Sequence, residues 1–228
     1  MAKPPPVIQA IIPARMGSKG LPYKNLREIN GKSLMRIAVE KCLEVATVVT
    51  VSTEDDDIAC RAHAMKASVH FRDPKLARDD VPSIDVLREA QMPDAGIILW
   101  VQCTAPLMTI EDLIIATRWI QMNRWADLVV ASHEFHGVLM DQFGTIEDRK
   151  IRPRQLMEPR WLVSGSVWAF RPEYLKGEMY AGTVVPFQSS NPTYCDINTI
   201  DDLNLARRIL SDEGSNTEQR TIVEAVER

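Results

Sequence analysis

Apolar and polar positions alternate between two rhythms along most of this chain. Val7–Ile12 is a short run, apolar but for Gln9, and reads as a buried strand. Leu34, Ile37, Ala38, Leu43 and Ala46 recur at helical spacing, with Ser33 as N-cap, which predicts a helix over Ser33–Ala46. "TVVTVS" (Thr47–Ser52), rich in β-branched residues, predicts a second strand. Thr53 is then expected to cap the acidic helix start "EDDDIACRAHAM". "SVHF" follows as a third strand. "PSIDVLREAQ" follows as a helix with Pro82 in its first turn. "GIILWV" is a fourth strand. "TIEDLIIATRWIQMN" opens with Thr109 and carries Asp112 three residues on, the spacing of a capping box. "DLVVAS" closes the series as a fifth strand.

Strand and helix in strict succession predict an α/β fold, a mostly parallel sheet with helices on both faces. From about His133 the rhythm breaks. The stretch "EFHGVLMDQFGTIEDRKIRPRQLMEPRWL" has no helical period and is too long for an ordinary connection, so a β-arm is expected over about 134–162. "VSGSVWAF" and "TVVPF" resume as strands, and "NTIDDLNLARRIL" is the last helix. The resulting division is one domain over 1–211 and a polar tail over 212–228.

Composition narrows the function. The 228 residues carry a formal net charge of −4, so no general polyanion-binding surface is expected and nucleic acid is excluded as a partner. No apolar stretch approaches the length of a membrane span, and the N-terminus lacks the pattern of a signal peptide. The four cysteines, Cys42, Cys60, Cys103 and Cys195, are widely spaced, which suits reduced thiols in a cytoplasmic protein. His133 and His136 form an H-x-x-H pair with no cysteine or third histidine near them, so zinc is not expected.

Against that background, "IIPARMGSKGLPYKN" (11–25) stands out. Arg15, Lys19 and Lys24 crowd a glycine-bearing loop directly after the first strand. Glycines let backbone N–H groups approach an anion, and the cations add charge. The loop is neither a Walker A nor a G-x-G-x-x-G motif. Phosphate binding is the expectation, with a solvated basic turn as the bland alternative. The loops after the second, third and fourth strands are also polar and share its rim, where ligands of such sheets bind.

"PARMGSKGLPYKN" resembles the opening signature of the CMP-sialic acid synthetase (acylneuraminate cytidylyltransferase) family. "VSTEDDDIA", "FRDPKLARDDVPSIDV", "VQCTAPL", "PRQ" (153–155), "SGSVWAF" (164–170) and "DINTIDDL" (196–203) follow in the family's order. The resemblance implies a Rossmann-like nucleotidyltransferase domain in a homodimer. It implies transfer of CMP from CTP, with Mg2+, to the anomeric hydroxyl of an acidic 2-keto-3-deoxy sugar, sialic acid or a related nonulosonate, with release of pyrophosphate. A 3-deoxy-manno-octulosonate cytidylyltransferase is the alternative enzyme, and a nucleotide-binding protein of this fold with little activity is the alternative from another class.

Position by position, Arg15, Ser18, Lys19 and Lys24 resemble the triphosphate-binding loop, with Arg15 and Lys24 as the catalytic cations. Asn25, Arg72 and Ser83 resemble nucleotide contacts, Arg72 on the cytosine side. For Arg72 an exposed ion pair with Asp73 or Asp79 is the competing account, and for Ser83 a helix-start polar group. Gln102, Arg154, Ser164, Trp168 and Tyr180 fall on sugar-contacting positions of the family. Gln102 is equally readable as a satisfied strand-end amide and the two aromatics as core. Cys103 reads as a packed side chain, not a nucleophile. Asp196 and Asn198 stand where the family has D-x-D for the metal; alternate residues of an extended segment project to one face, so two oxygens can share one ion. Asp196 could instead cap the following helix, though Thr199 fits that role better. The sequence departs from the family at Ala105, Met108, Leu162 and Ser164, where serine, arginine, arginine and asparagine are common. The nucleotide half therefore looks intact and the sugar half altered.

Overall fold

The computed structural model describes residues 5–140, 142–143, 145–146 and 153–211. Seven strands form one sheet in the order β5-β4-β1-β6-β8-β7-β9. They are β1 (Ile8–Pro13), β4 (Val48–Thr53), β5 (Ser68–Phe71), β6 (Ile97–Val101), β7 (Leu128–Phe135), β8 (Arg160–Phe170) and β9 (Val184–Gln188). A two-residue hairpin, β2 (Glu28–Ile29) with β3 (Lys32–Ser33), lies apart. Six of the seven strands run parallel, and β8 is reversed between β6 and β7.

The period-two alternation of buried strands sorts the core into two layers. Ala10, Ile12, Ile97, Leu99 and Val101 face α1 (Leu34–Leu43), α2 (Asp56–Ala64), α4 (Ile110–Met122) and a last helix, 200–211. Ile11, Ile98 and Trp100 face the other way, onto Ile84, Leu87 and Ala90 of α3 (Ser83–Ala90) and onto Leu175. The expected α/β sheet with helices on both faces is what forms.

Helix starts follow the capping rules, with two corrections. Ser33 caps α1 by accepting from Arg36 N–H. Thr109 and Asp112 complete their capping box, with bonds of 3.1 and 2.9 Å. Thr53, expected as the cap of α2, is instead the last residue of β4, and Asp55 caps the helix by accepting from Ile58 N–H. The hydroxyl of Thr53 serves the turn between them, accepting from Asp55 N–H at 3.2 Å. Pro82, expected inside the first turn of α3, sits one position earlier with extended backbone, because a proline N-cap needs no N–H and leaves Ser83 to start the helix.

The chain steps from β1 to β4 on one side and later to β6 on the other, so the strand order reverses at β1. A crevice opens there between the carboxyl ends of β1 and β6.

The break in rhythm near His133 corresponds to β7 and β8 running on together past the sheet, Ser132 opposite Val163 and Phe135 opposite Arg160. The pairing slips between Val130, opposite Trp168, and Ser132, so residues 164–166 bulge out of β8. Gly165 takes φ +68° in that bulge, a conformation side-chain-bearing residues rarely adopt. Met140 and Ile146 bridge antiparallel farther out. Part of the expected arm (141, 144 and 147–152), the side chain of Arg154 and the tail 212–228 lie outside the described residues. Among the described residues no helix is long and apolar enough to cross a membrane.

Candidate active site

The loop after β1 is held from three directions. Ala14 N–H donates to Ser52 of β4 at 2.9 Å, and Leu21 is buried. Asn25, almost fully buried at the start of a 3₁₀ turn, donates its amide to Arg15 O at 2.9 Å. Gly20 rests on the backbone of Asn198; a Cβ at that position would stand 2.5 Å from the Asn198 carbonyl oxygen, so a side chain would push the loop off its seat.

The cleft beside this loop, about 260 Å³, is lined by Arg15, Ser18, Lys24, Asn25, Arg72, Ser83 and Gln102 together with Arg78, Asp79 and Trp100. Seven residues singled out in the sequence thus meet in one volume, although they come from the ends of β1, β5 and β6 and from the start of α3. Ser83 and Gln102 also border a second space of about 600 Å³, lined by Trp168, Tyr180, Asp85, Arg88 and Glu178. The two spaces therefore adjoin along those two residues. Trp168 Nε1–H donates to the Tyr180 hydroxyl at 3.3 Å, which holds the two aromatics against each other.

Charge within the cleft is arranged in pairs. Arg15 and Lys19 both reach Asp79, each at 2.6 Å, and Arg15 also donates to Ala77 O. Hydrogen bonds from Lys19 and Arg15 hold the Asp79 carboxyl below the usual carboxylate range. Lys19 is otherwise largely exposed. Lys24 donates to the Asn198 amide oxygen at 3.1 Å. Burial lowers its pKa from the ordinary lysine value, with Asp196 pulling the other way and Arg15 adding to the fall. An anion entering here would meet a cation that is poorly solvated and in need of charge.

Arg72 does not form the exposed pair with Asp73 or Asp79 considered from the sequence. It is 3% exposed and is bound by Glu54, a residue the sequence reading passed over. A guanidinium this deep cannot sit without a counter-charge, and Glu54 at the end of β4 is within reach. Asp79 and Arg78 were also missed as cleft residues. All three lie in rim loops already expected to be polar, so their address was readable even though their partners were not.

Ser164 is corrected. Its hydroxyl is buried in the β8 bulge, where it donates to Ala131 O at 2.8 Å and lies 2.6 Å from the Ser166 hydroxyl. It borders a small space of about 10 Å³ shared with Ala105, Met108, His133 and Cys195, not the cleft. Three of the positions that depart from the family pattern, Ala105, Met108 and Ser164, therefore meet at this one place. Cys103 is likewise packed away, its thiol pushed up to about 12 by burial, as expected of a non-nucleophile.

Asp196 and Asn198 project to one side of an extended segment whose middle residue, Ile197, is buried and donates to Thr104 O at 2.8 Å. Asn198 Nδ2 donates to Asp196 at 2.9 Å while its Oδ1 takes Lys24. The helix that follows is capped by Thr199 and Asp202, not by Asp196. Among the described residues no three His, Cys, Asp or Glu side chains cluster as a metal cage. One carboxylate and one amide, its oxygen turned to Lys24, make a sparse donor set of the kind magnesium completes with water and substrate phosphates.

Residues 9–143, more than half of the chain, match the profile of a family described as cytidylyltransferase. The chain belongs to that family. Its relatives include N-acylneuraminate cytidylyltransferase A of Danio rerio, 28% identical over 82% of this chain and 46% of the relative. They also include N-acylneuraminate cytidylyltransferases of Oncorhynchus mykiss, 31% identical over 67% of this chain and 37% of the relative, and of Streptococcus agalactiae serotype V, 26% over 84% and 50%. This cytidylyltransferase-family chain thus spans half or less of the length of these relatives. In fold it is similar to a CMP:2-keto-3-deoxy-manno-octonic acid synthetase solved in complex with CTP, with a TM-score of 0.73 at 18% identity over 91% of this chain and 99% of the other. It is also similar to a 4-diphosphocytidyl-2C-methyl-D-erythritol synthase from Anaerococcus prevotii, with a TM-score of 0.64 at 14% identity over 90% and 99%.

Proposed function

We propose that this cytidylyltransferase-family chain transfers CMP from CTP to the anomeric hydroxyl of an acidic 2-keto-3-deoxy sugar, a nonulosonate such as sialic acid, and releases pyrophosphate. The observation that carries this reading is the convergence of Arg15, Ser18, Lys24, Arg72, Ser83 and Gln102 on one cleft at the reversal point of the sheet. The relatives named N-acylneuraminate cytidylyltransferase support the choice of acceptor.

The acceptor oxygen attacks the α-phosphorus in line, and negative charge grows on the departing pyrophosphate. Arg15 and Lys24, which line the cleft, and Lys19, which shares Asp79 with Arg15, are proposed to take up that charge. Preorganised cations of this kind supply most of the rate in phosphoryl-group chemistry. Asn25, bonded to the Arg15 carbonyl, braces the loop. The base enters on the Arg72 and Ser83 side, and the acceptor occupies the adjoining space of Gln102, Trp168 and Tyr180. Arg154 of the arm is proposed to bring a cation to the acceptor carboxylate of a neighbouring copy in a homodimer. Asp196 and the Asn198 amide oxygen would hold magnesium, which when bound would neutralise phosphate charge.

Pyrophosphate release from CTP and magnesium, measured over a panel of nonulosonic and octulosonic acids, tests the reading. Turnover on a nonulosonic acid is expected, and Lys24→Ala should lower kcat by about 10²- to 10³-fold. Turnover on octulosonic acid alone would move the acceptor to that class. Tight CTP binding with no turnover on any acid would make this a nucleotide-binding protein.

A further inference from the structure

The carboxylate of Glu54 touches two parts of the cleft, the phosphate loop and the buried guanidinium of Arg72. Its Oε1 accepts from the Met16 N–H of the phosphate loop at 2.9 Å. Its Oε2 accepts from Arg72 Nε and Nη2 at 3.1 and 2.8 Å. Met16 follows β1, Glu54 follows β4 and Arg72 follows β5, so one side chain ties together the ends of three neighbouring parallel strands.

A guanidinium holds its N–H groups in a rigid plane. With the Nε side turned to Glu54, the edge formed by Nη1 and the second Nη2 hydrogen is left to the cleft that Arg72 lines. Two parallel donors on that edge match the adjacent ring-nitrogen and carbonyl acceptors of cytosine. Uracil carries an N–H at the same ring position and would oppose one of them. How well that edge discriminates depends on how tightly the guanidinium is oriented, and Glu54 is what orients it.

From this geometry we propose that Glu54 is a positioning residue for nucleotide selectivity: it locks the base-reading arginine and the phosphate loop into one unit, so that triphosphate and base are read together. The inference rests on the CTP reading above. It adds a residue that touches neither base nor phosphate and acts only through Arg72 and Met16.

The test uses the whole protein and three probes, CTP, UTP and inorganic tripolyphosphate, with affinities measured by calorimetry and melting temperature as the control for folding. Glu54→Gln keeps shape and one carbonyl oxygen. That oxygen stays on the guanidinium, the stronger charge-assisted partner, and the amide NH2 is left facing the Met16 N–H. Tripolyphosphate and CTP should then weaken together by about tenfold, with the CTP-to-UTP ratio retained. Glu54→Ala frees both partners. It should weaken CTP by about 100-fold and lower the CTP-to-UTP ratio as well, since small misplacements of a positioned group carry penalties of this size. A side chain that merely neutralised Arg72 would lower the melting temperature and leave these ratios alone. Wild-type tripolyphosphate affinity in Glu54→Gln, or a wild-type CTP-to-UTP ratio in folded Glu54→Ala, would overturn the proposal. If Glu54→Ala does not fold, the tripolyphosphate result for Glu54→Gln decides. Wild-type protein that binds CTP no better than tripolyphosphate or UTP would instead sink the CTP reading, and this one with it.

Discussion

Asp79 is proposed to hold the place that a phosphate would take. It binds Arg15 and Lys19 at once, and both cations are needed by the proposed triphosphate. Entry of the nucleotide would therefore exchange one anion for another, leaving neither cation without a counter-charge. Asp79→Asn should tighten tripolyphosphate and CTP binding by about two- to fivefold, a modest gain because the exchanged ion pairs are exposed and screened. Equilibrium titration against the wild type checks this, and weaker binding would show that Asp79 shapes the loop rather than competing for it. At this scale the sequence was legible where chemistry is local. The cations, the glycines and the alternation of Asp196 with Asn198 announce themselves. Pairing across strands does not: Glu54 and Arg72 are 18 residues apart and meet only because β4 and β5 are neighbours. Ser164 was misplaced for a related reason. Strand alternation would aim it predictably, but the bulge at residues 164–166 resets that alternation, and nothing short of the β7–β8 register reveals it.

Helices and strands were read more securely than side-chain partners, because a period of 3.6 or 2 is averaged over many residues. The ends were less secure. Thr53 and Asp55 are both good caps, and the choice between them fell to β4, which extends through Thr53. The best-determined end is that of α4. Asp112 is fully buried, and its two oxygens accept from Thr109 N–H, Ser190 N–H and the Ser189 hydroxyl. The capping box thereby also pins the chain that leaves β9. Thr109→Ala should cost about 1 kcal/mol, the usual loss of a cap. Asp112→Ala should cost about 2–3 kcal/mol, since it orphans donors at both sites. Urea denaturation of the two variants gives both numbers, and equal losses would show that the link to β9 contributes nothing.

For the molecule as a whole, the α/β class followed from the succession of elements, while the sheet order and the reversed strand did not. Spacing records which element follows which, not which lies beside which. The arm was legible only as an interruption. Its described part leaves the apolar side chains of Leu139, Met140 and Phe143 exposed. A second copy is the proposed cover, so Leu139→Asp with Phe143→Asp should shift the mass seen in sedimentation from two chains toward one. An unchanged mass would remove the arm from that role. The reversal of β8 gives this arm its leverage. Because β8 returns antiparallel, the chain both leaves for the arm and comes back from it on the rim that holds the cleft, and the returning strand takes the Gln102 N–H on the carbonyl of Ser166 at 3.1 Å. A neighbour gripping the arm would thus be pulling on a handle whose root is the proposed acceptor pocket.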